Sequence, residues 1–126
     1  MVAEYSVWQQ GVEVNYAALC EEKKDGLHIL RLMGQTSVVY IPQMIDGHEV
    51  KVIGEYCFSA RNNCKNRTLD NDWEKMEKLA RDRGMNELSG DYVEQVILSD
   101  SVQELCSYAF YNCRKLKCIE FGSSLN

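Results

Sequence analysis

The sequence predicts an α+β, β-rich fold: a short solenoid opened by an N-terminal hairpin and interrupted by one amphipathic helix. Three observations carry this reading. A nine-residue pattern recurs at an offset of 52 positions, strand-like runs punctuated by turn residues fill much of the chain, and one charged stretch repeats its apolar residues at helical spacing. Recurring units of this kind cannot bury an apolar face alone and must stack on neighbours, which is the physical basis of a solenoid.

The strands come first. Residues 14–20 form a β-leaning run, followed by the polar stretch Glu21-Glu22-Lys23-Lys24. Asp25-Gly26 then precedes the apolar run 27–32, and an Asp-Gly pair between two strand-like runs predicts a type I′ hairpin with φ > 0 at both central positions. Gly34 breaks the second strand. Residues 38–41 make a further short strand, stopped by Pro42, the single proline, which has no N–H to give to a ladder.

The repeat follows. Val50, Ile53, Tyr56 and Phe58 recur as Val102, Leu105, Tyr108 and Phe110. Each copy is preceded by a short apolar strand, residues 38–41 and 93–98, and followed by an Asn-Cys pair, Asn63-Cys64 and Asn112-Cys113. Leu116, Ile119 and Phe121 begin another strand.

Between the copies the period changes. Asn71-Asp72-Trp73-Glu74 has the spacing of a capping box with Asn71 as N-cap. Leu69, Trp73, Met76 and Ala80 make one apolar stripe, with Leu79 alongside. Glu74, Lys75, Lys78, Arg81 and Asp82 occupy the opposite face, where Glu74–Lys78 and Glu77–Arg81 are favourable i,i+4 pairs. Gly84 is a C′ stop, giving an amphipathic helix of about three to four turns.

Composition narrows the function classes. At 126 residues the chain is one domain's worth, and 45% hydrophobic with 26% charged residues argues against disorder. The net charge is −5, the pI is near 5.0, and no run of cationic residues is longer than Lys23-Lys24, which argues against nucleic acid as a partner. No apolar run reaches the roughly 20 residues that span a bilayer. Met1-Val2-Ala3-Glu4-Tyr5 lacks the basic and apolar regions of a signal peptide, so the expected place is the cytoplasm, or the cell surface if the chain is cut from a longer protein.

Reactive residues are present without the patterns that make sites. The six cysteines (Cys20, Cys57, Cys64, Cys106, Cys113, Cys118) suit either a disulfide framework or buried thiols. Cys106, Cys113 and Cys118 lack the paired short spacing of structural zinc sites. A thiol nucleophile needs a base and an electropositive pocket, and the two histidines, His28 and His48, read as strand and loop polar positions. Among the carboxylates, Glu21-Glu22, Asp70 and Asp72 read as solvated or capping groups. Asp25-Gly26 and Asp46-Gly47 are turns, without the alternating acids of a calcium loop. No catalytic, cofactor or metal site is expected. Tyr56, Phe58, Tyr108, Phe110 and Tyr111 read as core and ladder ahead of a ligand platform, because they repeat in register. Trp73 reads as docking the helix onto the sheet; if the helix is partly exposed, Trp73 and Met76 make a partner-binding stripe.

The second copy carries a resemblance. Val96-Ile97-Leu98, Ser99-Asp100-Ser101, Val102, Leu105, Tyr108-Ala109-Phe110-Tyr111-Asn112-Cys113, then Leu116 and Ile119, resemble the leucine-rich repeat of bacterial surface antigens of the BspA type. Ile41-Pro42, Ile45-Asp46-Gly47, Val50, Ile53-Gly54 and Phe58 resemble the opening repeat that follows an N-terminal hairpin in such proteins. The likeness covers residues 26–60 and 92–125. Cys57 stands where the family has Ala, Leu105-Cys106 where it has Ile-Gly, a helix-bearing insertion separates the copies, and no polar cap precedes Asn126.

The resemblance implies a short right-handed leucine-rich-repeat solenoid forming one domain over 1–126. Within it, 1–37 is the hairpin region, 38–64 the first repeat, 65–91 the helical insertion, and 92–126 the second repeat with the start of a third. It implies a bacterial protein–protein binding module and not an enzyme, with adhesion or host-protein contact in secreted members. Cys64 and Cys113 then sit on the inward side of the turn as inert, small apolar residues. A structural role through stacking of open solenoid ends is the alternative, and a cysteine-dependent enzyme a distant third.

Overall fold

The computed structural model describes residues 1–60 and 70–123. Ten strands and one helix follow in order: β1 Val2–Gln9, β2 Val12–Lys23, β3 Gly26–Gly34, β4 Val38–Tyr40, β5 Met44–Ile45, β6 His48–Ile53, α1 Asp70–Arg83, β7 Asn86–Glu87, β8 Gln95–Ile97, β9 Glu104–Leu105 and β10 Cys118–Glu120.

β1 is the strand that patterning passes over. It pairs antiparallel with β2 from Val2↔Leu19 to Gln9↔Val12, joined by Gln10 and Gly11 at φ 51 and 79, the conformation of a type I′ turn. Gln-Gly is a weaker turn signal than Asn-Gly, and the exposed Trp8 places an apolar residue where the alternation of β1 calls for a polar one. The Asp25-Gly26 hairpin forms, with a correction. Lys23 pairs with Gly26, so Lys24-Asp25 are the turn residues and only Gly26 takes positive φ (131); this is not the type I′ turn that the Asp-Gly pair suggested. That type appears at Asp46-Gly47, φ 50 and 81, which folds β5 back onto β6.

From β3 onward the chain alternates between two sheets. β3, β6 and β9 lie side by side and parallel in the larger, seven-stranded sheet, which also holds β1, β2, β5 and β7. β4, β8 and β10 form a separate parallel three-stranded sheet. The repeat read from sequence becomes a register: Val52 pairs with Glu104 and Ile53 with Leu105, the same offset of 52. Equivalent hydrogen bonds repeat as well. Gly54 N–H donates to Ile29 O at 2.7 Å, and Cys106 N–H donates to Ile53 O at 2.9 Å.

The main core lies between the sheets and includes Leu27, Ile29, Val39, Ile45, Val50, Ile53, Phe58, Leu88, Val96 and Val102. β2 is buried on both faces, which explains its unbroken apolar run. Tyr16, Ala18 and Cys20 face the main core, while Ala17 and Leu19 face a second cluster with Met33, Trp73, Met76 and Ala80. That second cluster is where α1 packs on the sheet.

The helix itself begins at Asp70, so Asn71 lies inside it and is not the N-cap that the capping-box spacing suggested; Leu69 falls outside the described residues. Asp72 in the first turn instead takes the chain's own N-terminal ammonium at 2.9 Å. The C-terminal end matches expectation. Gly84 adopts φ 66, and the bonds Met85 N–H to Ala80 O (2.8 Å) and Gly84 N–H to Arg81 O (3.4 Å) form a Schellman motif.

Candidate functional site

The repeat places one turn twice. After β6, Tyr56 sits at φ 61; after β9, Tyr108 sits at φ 59. Each turn closes with the same pair of bonds: Cys57 N–H to Gly54 O and Ala109 N–H to Cys106 O, both 3.2 Å, then Ser59 N–H to Tyr56 O and Tyr111 N–H to Tyr108 O, both 3.0 Å. In each turn the phenylalanine two residues after the left-handed tyrosine is the more buried of the two: Phe58 is buried beside half-buried Tyr56, and Phe110 is half-buried beside exposed Tyr108. A bulky residue in that conformation carries about 1–2 kcal/mol of strain, which the surrounding structure must hold.

Both aromatic ladders then stack across the two copies. Phe58, fully buried, lies 5.1 Å from Phe110 with an interplanar angle of 6°. Tyr56 lies 5.4 Å from Tyr108 at 9°. Tyr111 stands edge-on to both, 6.3 Å from Tyr56 and 5.5 Å from Tyr108. Phe58 is core, and Phe110 packs half-buried against it, as their register suggested. The tyrosines are not core: Tyr108 is 57% and Tyr111 40% exposed. Three rings held against one another, two of them exposed, form an amphipathic patch.

Beneath this patch is a residue that sequence reasoning missed. Arg31 is 1% exposed. Its Nη1 donates to the carbonyls of Tyr56 (2.9 Å), Cys57 (3.2 Å) and Ser59 (2.7 Å), and its Nε and Nη2 reach Glu87 Oε1 at 2.7 and 2.6 Å. One guanidinium thus ties β3, β7 and the first tyrosine turn together. Between Leu30 and Leu32, arginine reads as a solvent-facing strand position, and no sequence signal marks it otherwise.

The remaining candidates fall apart as sites. Trp73 (6% exposed) and Met76 (fully buried) dock α1 against Ala17, Leu19 and Met33, so the conditional exposed stripe does not arise. Cys20, Cys57, Cys106, Cys113 and Cys118 are thiols, and Cys64 lies outside the described residues. Cys113 is half-buried and donates to Phe58 O at 3.2 Å. Burial pushes Cys20 up to about 12 and Cys113 up to about 11, while burial and then Glu104 raise Cys106. These shifts oppose nucleophilic activation. His28 pairs with Asp25 at 2.9 Å and His48 with Glu22 at 3.3 Å, and each partner is a carboxylate rather than a thiol. Among the described residues no three His, Cys, Asp or Glu side chains are placed to hold a metal ion.

The same shifts predict an alkaline weakness. Burial raises Tyr16 to about 12 and Tyr5 well above its ordinary value. Each of these acids, with Cys20, keeps its proton in the folded chain where the unfolded chain has lost it. Stability is therefore fully present below the unfolded thiol's pKa of 9.0 and falls as pH rises toward 12. The urea midpoint is expected to drop steadily across that window, and a constant midpoint contradicts the burial assigned to these groups.

Comparison with known proteins agrees with the repeat. The family model described as BspA type Leucine rich repeat region (6 copies) matches residues 38–81 and 84–126, more than half of the chain. The crystal structure of the T. pallidum Leucine Rich Repeat protein matches with a TM-score of 0.59 at 22% identity, covering 86% of this chain and 38% of that one. This likeness is one of fold, and the chain spans well under half of that protein's length. No curated protein matches the sequence.

Proposed function

We propose, for a chain that belongs to the BspA-type leucine-rich-repeat family, a protein-recognition role and not an enzymatic one. The observation that carries this is the tyrosine cluster in which exposed Tyr108 and Tyr111 pack on half-buried Tyr56. Tyrosine is among the residues that dominate binding energy at interfaces, because it offers large rigid area at low entropic cost and a polar tip. The strain at Tyr56 and Tyr108 supports the reading, since asparagine or glycine would fill the same turn with less. The alternation of strands between the parallel β3-β6-β9 ladder of the larger sheet and the parallel β4-β8-β10 sheet supports reading the architecture as a short right-handed solenoid and as one domain over 1–126. Trp73 and Met76 then serve recognition indirectly, by holding α1 on the sheet. No helix among the described residues is long and apolar enough to cross a membrane. We place the module at the cell surface when a longer chain bears it.

Selection from a displayed random-peptide library tests this. Peptides chosen on the wild-type chain should lose about tenfold or more in affinity when Tyr108→Ser and Tyr111→Ser are combined, with the urea midpoint little changed. Failure to select any binder, or binders indifferent to both substitutions, contradicts the proposal.

One observation favours a second reading, self-association. Among the described residues β9 and β10 pair on one side only, and Phe121 beside β10 is 57% exposed. Mass that rises with concentration in light scattering supports it, and a strict monomer removes it.

A further inference from the structure

The densest cationic segment, Arg114-Lys115-Leu116-Lys117, sits just before β10 and is broken by Leu116, so it does not stand out as a charge run in the sequence. The fold gathers it into a groove of about 690 Å³ with Ser37, Tyr92 and Glu94. Backbone bonds fix both walls: Lys115 N–H donates to Gly90 O at 3.0 Å and Lys117 N–H to Glu94 O at 2.7 Å. Three cations face one carboxylate. Glu94 is already engaged by Lys117 Nζ at 3.0 Å, and Lys117, then Ser37 and Lys115, hold its carboxyl below the ordinary value. Among the described residues neither Arg114 nor Lys115 is in an ion pair, and both are exposed. A positively charged groove on a chain of net charge −5 runs against the global balance and focuses potential locally.

We propose that this groove takes an extended acidic peptide segment. Arg114 and Lys115 would engage successive carboxylates, Arg114 with the fork geometry that suits them, while Tyr92 (37% exposed) and Leu116 line the apolar side. The cations are spread along four residues on an open groove rather than converging on one point, which fits a peptide better than a small anion. This deepens the recognition reading at residues separate from the tyrosine face, so the two fail independently.

The probe is a fluorescein-labelled octaglutamate peptide, titrated with the whole chain by fluorescence anisotropy. Binding should weaken steeply as salt rises. It should fall about tenfold or more in the Arg114→Glu, Lys115→Glu double variant, and less than about twofold in Lys23→Glu, Lys24→Glu, an equal charge change at the end of β2 and the turn after it. The inference is overturned by equal losses in both variants, which mark net charge alone. It is overturned too by no binding at low salt, or by an oligothymidylate probe that binds as tightly as the peptide, which marks a nucleic-acid surface. Selected peptides that depend on Tyr108 and Tyr111 would still stand in any of these cases.

Discussion

Replacing Arg31 with methionine is expected to destabilise the chain by about 3–5 kcal/mol, a large part of the 5–15 kcal/mol typical of a domain. The variant keeps the length and apolar stem of the side chain, so lost packing is small. What it removes is every donor that the carbonyls of Tyr56, Cys57 and Ser59 share from Nη1. These carbonyls belong to a turn with a left-handed tyrosine, so they cannot simply rotate toward water. Glu87 is 36% exposed and contributes less, because solvent screens what it loses. Arg31→Lys should recover only part of the loss, since an ammonium cannot serve three carbonyls and a carboxylate from one plane. Urea unfolding reads the effect directly. A methionine variant within about 1 kcal/mol of the wild type would mean that the guanidinium is not what holds the turn.

Gly90→Ala is the second large effect, about 3 kcal/mol or more. A Cβ there would lie 2.3 Å from Cys113 Cα and 2.7 Å from Asn112 O, both backbone atoms that no rotamer change can move aside. Gly90 sits where one pass of the chain crosses the next: its N–H donates to Phe58 O at 2.8 Å and its carbonyl accepts from Lys115. The close approach therefore sets how near the Gly90 backbone lies to that of Asn112 and Cys113. Gly47→Ala is the control, because nothing lies within 4 Å of its Cβ and only the strain of φ 81 remains, about 1 kcal/mol. Equal effects from the two substitutions would mean that backbone conformation, not crowding between passes, explains Gly90.

Much of the fold was legible because repetition and period are written in side-chain type. Val50, Ile53, Tyr56 and Phe58 against Val102, Leu105, Tyr108 and Phe110 predicted two stacked copies, and the pairing of β6 with β9 has the same offset of 52. The helix was legible from Trp73, Met76 and Ala80, and its end from Gly84. Its start was misplaced at Asn71, because Asx residues favour caps in general and a run of two gives no unique choice. β1 was missed although Ala3, Tyr5 and Val7 alternate with exposed Glu4 and Ser6, because the exposed Trp8 breaks the apolar–polar alternation and Gln10-Gly11 is a weak turn signal. The candidate surface was half legible. Periodicity identified the aromatic ladders but could not say that the tyrosine of each turn is less buried than the phenylalanine, since φ is not a property of sequence pattern where tyrosine occupies a glycine-like position. Arg31 and the groove at Arg114 and Lys115 were illegible for a shared reason: each depends on which distant backbone lies opposite.

The central claim is that the offset of 52 in the sequence is a physical stacking of two copies, and interstrand nuclear Overhauser contacts test it most directly. Contacts between Ile53 and the Leu105–Cys106 amides, together with Val96 to Ile119 in the smaller sheet, are the predicted result. Contacts shifted by one residue, or none between these strands, would contradict the register on which the tyrosine face is built.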